Sequence, residues 1–95
     1  MKSDLTEKEL GMVQAGLHRF NEFVLPALKR MKEKVDNGET LTERETEQLE
    51  DQIKRGKRSE AFAEKHPEYK SLIDSANEIY DYIASKSAEN AKNSD

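Results

Sequence analysis

Two histidines and a belt of carboxylates are the side chains of this chain with the chemistry to move protons or hold a metal. His18 has Glu22 one helical turn away, a spacing that can place two ligands on one ion. A zinc site needs three or four, so this pair predicts a solvated ion pair. His66 precedes Pro67 and is predicted at a helix boundary. The acids between Glu39 and Asp51 sit in a mostly polar stretch. Paired carboxylates become an acid and a base only where a cleft separates their pKa values. A charged, water-facing helix provides no such cleft.

The chain has no cysteine, which excludes thiolate zinc ligation, a cysteine nucleophile and a disulfide scaffold. Gly11 and Gly16 lie inside a helical pattern and do not follow a strand, so no phosphate-cradling loop is present. These observations predict a chain that is not an enzyme and has no cofactor and no metal.

Two constellations point to binding instead. Lys54-Arg55-Gly56-Lys57-Arg58 places four cations in five residues. Such a cluster suits phosphate or an acidic partner. Acidic residues crowd the preceding segment and no aromatic side chain interleaves with it, so nucleic acid is the alternative and not the first expectation. The second constellation is apolar. Met12 and Phe23 fall about 100° to 120° from the centre of the first apolar stripe described below, and Gly16 lies beside them. Tyr82 is about 120° off the last stripe. Met12, Gly16, Phe23 and Tyr82 are therefore the candidate partner-binding residues.

The elements that must carry these residues are helices. Thr6 through Glu9 spell a capping box, and Thr42 through Glu45 spell another, with Leu41 ahead of it as a staple residue. After the first box, Leu10, Val13, Leu17, Phe20, Val24, Leu28, Met31 and Val35 recur in steps of three and four, one face of a helix. Pro26 interrupts that helix without breaking its register, which predicts one kinked helix. Asn37-Gly38 predicts its end. A second, thin-faced helix is predicted over about 43–55, stopping at Gly56. Ser59 predicts a short helix bearing Phe62 and Ala63. A last helix starts at Pro67 and carries the stripe Tyr69, Leu72, Ile73, Ala76, Ile79, Tyr80 and Ile83. From Ser87 on, no side chain is apolar and larger than alanine, which predicts a disordered tail over 88–95 behind a single domain over 1–87.

Ninety-five residues with 34% hydrophobic and 38% charged side chains suit one small helical domain. The net charge of −4 hides a gradient: +2 over 1–35, −2 over 36–58 and −4 over 59–95. That asymmetry is too mild for whole-chain nucleic-acid binding. Met1–Leu5 has no apolar signal core, and no apolar run reaches the ~20 residues that span a bilayer. The expected fold is an all-α bundle of three to four helices, the long kinked N-terminal helix packed antiparallel on the C-terminal one. The expected role is a cytoplasmic, non-catalytic adaptor or regulator that binds a protein through a helical surface and can form a homo-oligomer. A mobile-element-encoded inhibitor of a host protein complex is a further alternative.

Overall fold

The computed structural model describes residues 5–93. Among them the elements are helical throughout and form three rods. The first rod comprises α1 (Glu7–Arg19), a π-helical turn (Phe20–Val24) and α2 (Leu25–Asp36). The others are α3 (Glu43–Lys65) and α4 (Lys70–Asn93), with a 3₁₀ turn at Pro67–Tyr69 between them.

Both capping boxes form. Thr6 Oγ1 accepts from the Glu9 amide at 3.1 Å and Glu9 Oε1 accepts from the Thr6 amide at 3.2 Å. Thr42 and Glu45 repeat the pair at 3.1 and 2.9 Å. Gly38, at φ 86°, ends α2. Its amide donates to Val35 O and that of Glu39 to Lys34 O, so two end carbonyls of α2 are satisfied.

Pro26 has no amide to donate to Glu22 O. The backbone widens just before it, and the Leu25 amide reaches back to Phe20 O. The first rod thus passes the proline through a π turn. That turn inserts the equivalent of one residue, about 100° of rotation. The apolar stripe of α1 is turned away from that of α2 by roughly a quarter-turn. Leu28, Met31 and Val35 are buried, whereas α1 has no buried residue.

α3 does not stop at Gly56. It runs on to Lys65, and Ser59 is an interior residue whose hydroxyl donates to Arg55 O at 2.9 Å. Gly56 is buried, and a Cβ there would lie 2.0 Å from Asn77 Oδ1 of α4. The glycine permits close approach of two helices; it is not a terminator. α4 likewise continues through the segment expected to be a tail. Residues 88–93 are helical because Asn90 is buried and donates to Val35 O at 2.9 Å and Glu39 O at 2.8 Å. Residues 94–95 of that expected tail, and residues 1–4 at the other end, lie outside the described residues.

The long antiparallel pair is α3 with α4, which carry the Gly56–Asn77 approach midway and the Leu41 amide on Ser87 Oγ beyond the start of α3. α2 runs parallel to α4, because its C-terminal end meets Tyr82 and Asn90. This corrects the antiparallel expectation: with two short reversals, the first and third rods must point the same way. The core joins Leu28, Met31 and Val35 to Leu49, Tyr80 and Ile83. No helix among the described residues is long and apolar enough to cross a membrane.

One ion pair ties α2 to α3. Lys34 Nζ lies 2.7 Å from Glu45 Oε1, the oxygen that also closes the second capping box. The Lys34 ammonium, then the Thr42 amide, holds the Glu45 carboxyl below its ordinary value of 4.5. A depressed folded-state pKa contributes stability that is present above the unfolded pKa and is lost as pH falls through the folded one. We expect the urea midpoint to drop on acidification below about pH 4.5, and Glu45→Gln to lose less between pH 7 and pH 3 than the wild type. Equal losses in both proteins would show that this pair carries none of the acid sensitivity. The expected difference is at most about 1 kcal/mol.

Candidate partner-binding surface

α1 presents large apolar side chains to water. Met12 is 67% exposed and Phe23 71%, the latter in the π turn. Leu10 is also exposed. A Cβ on Gly16 would meet nothing within 4 Å, so a shallow seat opens beside Met12. Glu9, Met12, Gly16 and Arg19 follow one another in steps of three, four and three, which places them along one side of α1. All four are exposed, and Phe23 lies one turn farther on. The sequence marks Glu9 only as part of the capping box and gives Arg19 no role at this surface. The signal was available in the spacing, but a charged residue on a solvent face carries no mark of its own. The Glu9 carboxyl is lowered chiefly by the Thr6 amide, with smaller contributions from His66 and Lys65, so the start of α1 lies over the end of α3.

Tyr82 belongs to a different place. It is exposed, but its hydroxyl donates to Asp36 Oδ1, and Lys32 Nζ stands 5.3 Å from its ring centroid. Lys32 also reaches Asp36 Oδ2 at 2.8 Å. These contacts set the three ionisations together. Asp36 is lowered by Lys32 and then Tyr82, while Lys32 and Tyr82 are both raised, each chiefly by its bond to Asp36. The cluster closes the seam between α2 and α4 beside a shallow groove lined by Lys32, Ser75, Glu78, Ile79 and Tyr82. Asp36 is thirteen residues from Phe23 along the same rod, roughly 20 Å. The structure therefore groups Met12, Gly16 and Phe23 and sets Tyr82 apart.

Lys54, Arg55, Lys57 and Arg58 are all exposed, Lys54 and Arg58 opposite the buried Gly56 and Arg55 and Lys57 on its two flanks. They lie in mid-helix, so a helix C-terminus does not account for them. Arg55 is paired with Asp51 at 3.0 Å. Lys34 meets Glu45 in the first turn of α3, well before Lys54, and Lys32 is engaged by Asp36. Of the cations of α2, Lys34 thus lies at the acidic start of α3 and Lys32 at the seam with α4, and neither extends the basic cluster.

His18 is exposed, whereas His66 is buried with its ring 4.6 Å from that of Phe62, which also meets Tyr69 at 5.7 Å. Among the described residues no three His, Asp or Glu side chains converge as a metal site would require. No protein-family model, curated protein or solved structure matches the chain.

Proposed function

We propose that this chain is a non-catalytic protein-binding module, an adaptor or regulator of the cytoplasm, that engages its partner through the outer side of α1. The observation that supports this is the exposure of Met12 and Phe23 around the open position at Gly16. An apolar side chain alone on a surface is ordinary, but Met12 and Phe23 are both largely exposed along a segment with no buried residue, which suits an interaction face. A helix at the edge of a bundle can lay its outer side into a groove or against another helix. Inhibition of a host complex by a mobile-element product is one role such a module can fill, and no side chain of this chain selects it. Contact with nucleic acid through Lys54–Arg58 has less support, because Arg55 is paired with Asp51 and Lys32 and Lys34 are engaged away from that cluster.

A photoreactive benzophenone side chain at position 12 or 23 should trap the same protein from source-cell extract. The same group at Glu50, on the solvent side of α3, should trap none of it. Phe23→Lys should abolish capture by the probe at position 12. Equal trapping from all three positions would defeat the assignment of the surface to α1.

A further inference from the structure

Resting on that assignment of α1, we infer that the occupant of this surface is a second copy of the chain, docked antiparallel with Met12 of each copy seated over Gly16 of the other and Glu9 paired with Arg19. The row Glu9, Met12, Gly16, Arg19 is complementary to its own reverse. A two-fold axis midway between positions 12 and 16, on the side of α1 away from Gln14, sets position 9 against 19 and position 12 against 16. Each pairing then occurs twice, as an isologous interface requires. Both pairings are favourable. A large flexible side chain meets an open glycine, which has nothing within 4 Å around its Cβ position. A carboxylate meets a guanidinium, and Glu9, whose Oε1 serves the capping box, has Oε2 left to accept.

The parallel arrangement fails on the same residues. It sets Arg19 against Arg19, sets Met12 against Met12, and leaves a void where two glycines face each other. Charge and side-chain volume therefore select one orientation and one register.

A pair of such rows falls at the low end of interface sizes, below about 1,200 Å². The expected dissociation constant is on the order of 10–100 µM. Sedimentation equilibrium from about 5 µM to about 1 mM should follow the monomer into a dimer. Arg19→Glu alone and Glu9→Arg alone should each weaken the dimer at least about tenfold, and their equimolar mixture should restore it as a heterodimer. Gly16→Leu should also abolish it. That change raises helix propensity, so the loss cannot come from melting α1.

A wild type that stays monomeric to about 1 mM overturns the inference. So does a mixture of the charge variants that fails to associate, or a Gly16→Leu protein that still dimerises. Capture of a different protein at positions 12 and 23 by a monomeric chain would overturn the second copy while leaving the α1 surface standing. A dimer whose contacts map elsewhere would overturn the second copy at α1, and equal trapping from positions 12, 23 and 50 would overturn the α1 surface itself.

Discussion

Deleting residues 88–95 should lower the stability of the fold by about 3 kcal/mol, although nothing in that segment is apolar and larger than alanine. The reason is Asn90. Its side-chain amide donates both hydrogens across the bundle, to the buried end of α2 at Val35 O and to the following loop at Glu39 O. Each bond contributes about 1 kcal/mol net, while Val35 O keeps its bond from the Gly38 amide. Asn90→Ala alone should therefore cost about 2 kcal/mol. Asn90→Asp is the sharper variant. It keeps the shape but replaces two donors with acceptors facing two carbonyls, so at pH 7 it should cost at least as much as alanine. In a domain of this size, 1 kcal/mol moves the Tm by about 4–8 °C. Thermal unfolding followed by circular dichroism should show losses on the order of 10 °C for the point variants. A truncated chain that melts with the wild type would mean that the last turns of α4 anchor nothing.

The close approach of α3 and α4 at Gly56 sets the second large effect. An alanine in a free helix is favoured over glycine by about 1 kcal/mol. Here its Cβ would lie 2.0 Å from Asn77 Oδ1, 3.1 Å from Asn77 Cγ and 3.4 Å from Tyr80 Cε2. Asn77 would have to swing aside, giving up its 3.2 Å bond to Glu60 Oε1. The two effects oppose each other, so Gly56→Ala should fall within about 1 kcal/mol of the wild type. Gly56→Leu finds no such escape. It must part the helices beside Tyr80, and about 3 kcal/mol of destabilisation is expected. The pair with Asn77 gives a change of sign to look for. In an Asn77→Ala background, Gly56→Ala should stabilise by up to about 1 kcal/mol, and urea unfolding of the four proteins measures the coupling. Additive effects, or a tolerated leucine, would show that the two helices do not meet at this position.

Gly56 and Asn90 also show where sequence and structure part. In the sequence, Gly56 follows a thin apolar face and precedes Ser59, so it looks like a helix end. In the fold it is one of the row Leu49, Ile53, Gly56 and Ala63, which lines the side of α3 turned to α4. Ser87 and Asn90 extend the row of Ala76, Tyr80 and Ile83 by steps of four and three, although neither is apolar. A search for large hydrophobic residues passes over both. Of the candidate surface, Met12, Gly16 and Phe23 were legible as residues off the stripe. Arg19 and Glu9 beside them were not, since a charge on an outer face looks the same whether or not anything docks there.

What the amino-acid sequence determined by itself was local. Thr6 and Thr42 start helices through bonds to residues three positions on, Gly38 ends one through its positive φ, and the apolar periodicity makes the chain all-α. Each depends on neighbours within about one turn. Tertiary structure decided the rest. The π turn ahead of Pro26 rotated one half of a continuous stripe away from the other, leaving α1 without a buried residue. The order of reversals set α2 parallel to α4. Asn90 became a core residue only because Val35 O and Glu39 O lie opposite it. Those outcomes depend on which distant groups meet, and among the described residues Met12, Gly16 and Phe23 stay exposed because the bundle packs elsewhere.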